Sequence, residues 1–270
     1  MLGFFTRLPV PNIEFTEERF QKAMKLTPLA GLVIGLILTL ISLVLYKIHT
    51  ANFISGAVLI CSYIAITGGL HFDGLADTCD GVFSGRSREQ SLEIMKDSRT
   101  GVFGVLGLFM TGLLYFVLFT ETSPVALLIF PIVGRSCYLI SATLGPYARE
   151  DGMGKSTGNG GGPVSVASAI IALVGGSFLP TPFIAIPFLV NSSSQVSKYA
   201  LWPPAFYGTV LIITFSLAAS GVAVIATVLM TTHFRKKLGG VTGDTFGAVI
   251  EVSSVVYLLF FTILHQSLPL

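Results

Sequence analysis

Gly69-Leu70-His71-Phe72-Asp73-Gly74-Leu75-Ala76-Asp77-Thr78-Cys79-Asp80-Gly81 closes a membrane-length apolar run that begins at Phe53. Three carboxylates at the edge of hydrocarbon need a counter-ion, because an unpaired charge there is costly. If the segment is helical, Asp73, Asp77 and Asp80 stand at i, i+4 and i+7 and share one face. Hard oxygen ligands in that arrangement suit Mg²⁺ or Mn²⁺. Mg²⁺ in turn suggests a phosphate-bearing substrate.

Outward from this stretch the chain is apolar nearly everywhere. Of 270 residues 52% are hydrophobic and 11% charged, and the mean hydropathy is +0.80. That composition lies outside the soluble globular pattern and predicts an all-α, polytopic integral membrane helical bundle forming one domain over residues 1–270. Runs long enough to cross about 30 Å of hydrocarbon cover Pro28 to Tyr46, Phe53 to Leu70, Val102 to Thr120, Pro124 to Leu144, Val164 to Val190, Ala205 to Met230 and Phe246 to His265. The expectation is therefore about seven transmembrane helices. The fifth run is overlong and carries Pro180, Pro182 and Pro187, so it reads as one kinked helix or as a helix followed by a re-entrant piece.

Charge fixes the expected orientation. Thirteen of the 16 Lys and Arg residues fall before the first span or in the second, fourth and sixth connections; Lys47 and Lys198 mark the other side and Arg135 lies inside a span. Under the positive-inside rule this places the N-terminus and the even-numbered connections in the cytoplasm, and with them the acidic stretch, on the cytoplasmic face of the inner membrane. The N-terminal Met1-Leu2-Gly3-Phe4-Phe5 is too short an apolar stretch for a signal peptide, so the first span is expected to remain. A net charge of +2, spread over several loops, leaves no nucleic-acid footprint. Cys61, Cys79 and Cys137 have no metal-ligand spacing and no expected extracytoplasmic place, so they read as small apolar fillers, with Cys79 at the cytoplasmic surface.

Three connections add candidates. In the second, residues Ser87 to Ser98 predict an interfacial helix with Glu89, Glu93 and Asp97 at i, i+4 and i+8, a second acidic row facing the first or a solvated helix surface. In the fourth, Arg149, Asp151 and Lys155 can pair with phosphate or metal-bound water, whereas the glycine tract Gly158-Asn159-Gly160-Gly161-Gly162 follows no strand and lacks a Gly-Lys-Ser/Thr ending, and reads as a linker. In the sixth, Arg235-Lys236-Lys237 reads as a topology signal, while Asp244 opens the last span and Glu251 lies seven residues deeper on the same face. A structural pairing of Glu251 with Arg135 is expected there.

Four stretches, Phe5-Thr6-Arg7-Leu8-Pro9-Val10-Pro11, Gly69 to Asp77, Glu93-Ile94-Met95-Lys96-Asp97-Ser98-Arg99-Thr100-Gly101 and Gly239-Gly240-Val241-Thr242-Gly243-Asp244, resemble the cobalamin synthase family, the adenosylcobinamide-GDP ribazoletransferases, in the same order over nearly the whole chain. The resemblance implies a Mg²⁺-dependent membrane transferase with adenosylcobinamide-GDP and α-ribazole or its 5′-phosphate as substrates, the lipid bilayer as its setting, and room for an oligomer. In that chemistry a ribazole hydroxyl attacks the cobinamide-side phosphorus and GMP leaves, so the enzyme must neutralise a diphosphate and align the reactants. Asp73, Asp77 and Asp80 are then the expected metal ligands, completed by Glu93 and Asp97. Arg99, Arg149 and Lys155 would hold non-bridging oxygens, with Asp244 beside the substrate. Asp77, Asp80 and His71 are the expected catalytic residues; the base is one of the carboxylates left out of the metal shell or else His71, for which a structural hydrogen bond is an equal reading. Other membrane transferases that use spaced aspartates on CDP-alcohols or prenyl diphosphates fit less well, because Asp77 and the downstream glycines break their pattern. A cation transporter needs polar groups through the midplane, where only Glu251 lies deep in a span.

Overall fold

A computed structural model describes residues 1–11, 14, 16–149, 162–179 and 204–267. Among them every regular element is a helix. A short α1 (Leu2–Phe5) and an amphipathic α2 (Glu17–Met24) precede α3 (Thr27–Lys47). There follow α4 (Asn52–Thr67), α5 (Leu70–Phe83), α6 (Arg88–Ile94), α7 (Val102–Glu121), α8 (Pro124–Leu144), α9 (Pro163–Phe178), α10 (Pro204–Leu238) and α11 (Gly243–Gln266).

Five of these, α3, α7, α8, α10 and α11, are long and apolar enough to cross a bilayer, and α4 with α5 makes a sixth candidate if that bent pair is one span. The seventh span expected from the sequence falls on α9, whose 16 residues are shorter than a crossing. Its expected continuation through Pro180, Pro182 and Pro187, and Lys198 in the connection after it, lie outside the described residues.

The layering follows from which helices are wrapped. α8 is 89% buried along its apolar window and α11 67%, against 22–28% for α3, α7 and α10, so α8 forms the axis and the others present leucine, valine and phenylalanine outward, as lipid-facing helices do. Close backbone approach makes this possible. Gly31 and Gly35 of α3 lie on the backbone of α8 at Pro131 and Leu128, where any side chain would collide, the small-residue packing favoured in membranes.

The decisive local event is the end of α4. Gly68 and Gly69 both adopt left-handed backbone (φ +67° and +69°), a conformation that favours glycine, and the chain turns by 90° between α4 and α5. With 14 residues, α5 extends about 21 Å and is too short to cross. It lies instead across the starts of α11 and α7. Gly74 sits on the backbone of Asp244 and Gly247 on that of His71, while Cys79 meets Gly107 at the other end. Cys79 is accordingly buried rather than at the surface, because α7 covers it.

The N-terminal segment seals the bend. The Arg7 backbone N–H donates to the Ile66 carbonyl at 2.7 Å, satisfying an orphan group at the end of α4, and the Arg7 side chain covers Gly68. Phe5 is buried against His71 and Tyr138.

Candidate active site

The acidic stretch is helical, as its spacing predicts, but its three aspartates meet different surroundings. Asp80 is buried, and its two oxygens accept the backbone N–H groups of Gly101 (2.7 Å) and Gly104 (2.9 Å). Those are the N-cap and third residues of α7, so Asp80 caps that helix from across the packing and its charge meets the positive end of the dipole. Glycine at 101 and 104 is what lets a carboxylate approach so closely. Asp73 is exposed and Asp77 half-buried on the same helix.

Across from them, the start of α11 is built by Gly239-Gly240-Val241-Thr242-Gly243-Asp244. Gly239 leaves α10 in left-handed backbone (φ +77°) beneath the Arg88 guanidinium. Val241 then bridges to the 146–148 strap, donating to the Pro146 carbonyl and accepting from Ala148 N–H. Thr242 and Thr245 close a reciprocal cap, which sets Asp244 in the first turn. The strap delivers Arg149, whose Nη2 donates to Asp244 Oδ2 at 2.7 Å and to the Met95 carbonyl at 3.3 Å.

Arg149 pairs with Asp244, while Asp73 and Asp77 stand close enough to repel one another and Asp244, so negative charge is in excess around the one guanidinium. Burial first, then repulsion from Asp73 and Asp244, pushes the Asp77 carboxyl up to about 7 against the pull of Arg149. Among the described residues no three His, Cys, Asp or Glu groups stand close enough together to hold a metal ion as they are placed. The donor chemistry nevertheless fits a hard divalent cation: the ligands are carboxylate oxygens, and their crowding is the condition such a cation relieves.

The expected second acidic row does not form. α6 stops at Ile94 with Met95 as its C-cap, so Asp97 lies beyond the helix and does not continue the face of Glu89 and Glu93. Asp97 instead binds Arg99 in a forked ion pair (2.6 Å), which holds its carboxyl down at about 2, and both residues are turned to solvent. Glu89 and Glu93 are exposed. Asp151 and Lys155 lie outside the described residues.

Beside the acidic group opens a cavity of about 320 Å³. Its floor and walls are Phe4, Phe5, Phe20, Met24, Tyr138 and Phe246, and Asp73, Arg149 and Asp244 stand where it meets the polar group. His71 lines it, buried, with Nε2 lacking any hydrogen-bond partner. Burial, and second the charge of Arg135, hold the His71 pKa well below its ordinary value, so the ring is neutral at pH 7. Spacing arguments missed these aromatic walls; the signal available was the Phe4-Phe5 pair next to a family-like stretch, together with Phe20.

Deeper in the bundle, Glu251 and Arg135 are both fully buried but do not touch as an ion pair. Tyr63 and Tyr115 donate to the two oxygens of Glu251 at 3.0 and 2.7 Å, and Arg135 Nη1 donates to the Tyr63 hydroxyl at 3.5 Å. The expected pairing is therefore relayed through a tyrosine that charge counting had no means to place.

The fold and site define an all-α, multi-pass membrane protein with a carboxylate-rich group at the mouth of an aromatic cavity. The chain is a membrane enzyme that belongs to the cobalamin-5-phosphate synthase family, whose model matches residues 1–262. It is 34% identical over 278 residues to the adenosylcobinamide-GDP ribazoletransferase of Fusobacterium nucleatum, covering 98% of this chain and 96% of that one. The enzyme of the same name from Acetivibrio thermocellus is 38% identical over 267 residues (97% and 95% covered), and that from Alkaliphilus oremlandii 37% over 261 (96% and 93%). No solved structure matches the chain.

Proposed function

We propose that the protein transfers the adenosylcobinamide-phosphate moiety of adenosylcobinamide-GDP to α-ribazole or its 5′-phosphate, releasing GMP, at the cytoplasmic face of the inner membrane. One observation carries the reading: the four family-like stretches, far apart in sequence, meet around one group of side chains. Phe5 packs on His71, Gly74 on Asp244, Asp80 on Gly101, and Arg149 joins Met95 to Asp244.

In this reading Asp73 and Asp77 are the residues that would hold Mg²⁺, which would supply positive charge for the diphosphate. Arg149, already oriented by Asp244, holds non-bridging phosphate oxygens. The acceptor hydroxyl attacks the cobinamide-side phosphorus, the bond to the GMP oxygen breaks, and the hydroxyl proton passes to the carboxylate at the cavity mouth that does not hold the ion, Asp244. His71 is a poor acceptor, because its burial disfavours the imidazolium. We assign to Asp80 the holding of α7 against α5, and leave Glu93, Asp97 and Arg99 outside the reacting group on account of their exposure and the Asp97–Arg99 pair.

The test is GMP release by the detergent-purified protein supplied with adenosylcobinamide-GDP and α-ribazole phosphate. Release that needs both substrates and is abolished by EDTA is expected. Release without the ribazole nucleoside would make the protein a hydrolase, and release indifferent to EDTA would remove the metal.

A further inference from the structure

The cavity beside the carboxylates has a chemistry of its own. Tyr138 and Phe246 meet edge to face at 4.9 Å, Phe5 stands 6.0 Å from Tyr138, and Phe4 and Phe20 meet at 5.5 Å. Rings so arranged present flat apolar faces, suited to stacking a planar heteroaromatic ring. Two buried polar atoms of its lining residues, Nε2 of His71 and Nε of Arg149, have no partner, and a buried polar group without one normally marks a missing ligand or water. Of the two, the His71 ring is the one that lies beside the aromatic wall, 5.4 Å from Phe5.

Three moieties of the proposed reactants compete for this space. The corrin ring is far too large for about 320 Å³, a volume at the small end of ligand sites, which run to roughly 1,000 Å³. Guanine brings an amide edge and an amino group that need several partners. Asp73, Arg149 and Asp244 offer them only where the cavity meets the polar group, and the phenylalanine and methionine walls supply none, so a guanine seated among the rings would strand that edge. A benzimidazole brings a flat apolar bicycle with a single free ring nitrogen, an acceptor. That demand matches an aromatic slot with the spare His71 nitrogen beside its rings.

We propose that this cavity seats the bicyclic base of the ribazole nucleoside, stacked among Phe5, Phe20, Tyr138 and Phe246, with His71 Nε2–H donating to the ring nitrogen that carries no sugar. The proposal rests on the reaction proposed above for the identity of the nucleoside, and it puts the sugar at the mouth, beside Asp73 and Asp244. His71 is then a positioning and recognition residue for the base. The N-terminal helices, otherwise peripheral, become the wall that selects the acceptor.

The experiment separates this idea from the reaction itself. Full-length protein in detergent and EDTA is titrated by calorimetry with α-ribazole and, separately, with GMP, in wild type, Phe20→Ala, Phe20→Tyr and His71→Phe. α-Ribazole should bind the metal-free wild type. Its affinity should fall about tenfold in Phe20→Ala, the usual consequence of losing one stacking face, recover in Phe20→Tyr, and fall by a similar factor in His71→Phe. In turnover assays the KM for the nucleoside should rise in parallel while that for adenosylcobinamide-GDP stays within about twofold. A nucleoside affinity indifferent to Phe20→Ala and His71→Phe, as expected of a cavity that holds a lipid chain, overturns the proposal. So does a loss that falls on GMP instead. If wild type binds α-ribazole in this pattern but releases no GMP, the cavity assignment stands and the reaction fails.

Discussion

Two groups in this molecule use the same residue types, acids beside a single arginine, to opposite ends. In the bundle interior Glu251 and Arg135 are fully buried, and Tyr63 and Tyr115 satisfy both carboxylate oxygens. At the end of the bundle Asp73, Asp77 and Asp244 gather near one arginine, Arg149, which pairs with Asp244 alone of the three, and stay partly open, with Asp77 pushed up to about 7 first by burial and then by its acidic neighbours. The interior group balances its charges and joins α4, α7, α8 and α11. The outer one is left in deficit by one cation, and a deficit of that kind is what a ligand fills.

The largest effect should come from breaking the closed group. Arg135→Met leaves Glu251 buried without a cation and should cost about 3–5 kcal/mol of stability, the usual penalty for orphaning a buried charge. It is read as a collapse in yield and melting temperature. Arg135→Met with Glu251→Leu should regain much of that loss, and a double variant no better than the single would mean that the two residues are not coupled.

The open group should respond in the reverse manner. Asp77→Asn keeps shape and removes charge, so turnover should fall by about 10²-fold or more, while the metal-free protein melts at or above the wild-type temperature because like charges are thinned. Normal turnover in well-folded Asp77→Asn would sink the role of the carboxylates, and poor folding would move Asp77 into the structural class with Glu251.

The smallest effect is a pH dependence. The Asp77 carboxyl is raised in the folded chain from 3.8 to about 7, so between those values the folded state holds more protons than the unfolded one. Stability contributed by this group is therefore full below about pH 4 and lost as pH rises through about 7. The metal-free wild type should melt at a lower temperature at pH 8 than at pH 5.5 by more than Asp77→Asn does, and Mg²⁺ should narrow that gap. Identical pH profiles for the two proteins would show that Asp77 is not crowded.

Much of this was legible in the sequence because the membrane restricts what a chain can do. Backbone in hydrocarbon must satisfy itself, so apolar runs became helices close to where α3, α7 and α8 stand. The face shared by Asp73 and Asp77 followed from helical period alone. What was not legible depended on contacts between distant segments. Asp80 looks the same as Asp77 in one dimension, and only the glycines at 101 and 104 on α7 decide that it becomes a cap. Asp97 left the expected row because the Arg99 two residues on offers a nearer partner than another helix turn does. Arg149 and Asp244 were each visible as candidates, but the strap at 146–148 that joins them rests on a bridge to Val241 that no period encodes.

The bend at Gly68 and Gly69 also sets a timetable for the newborn chain. Phe5 to Arg7, which precede the bend in the chain, have nothing to dock on until α4 has been threaded and α5 has turned over. Asp244, which completes the acidic group, arrives with the last helix. A copy interrupted before α11 therefore lacks Asp244 and never assembles the acidic group.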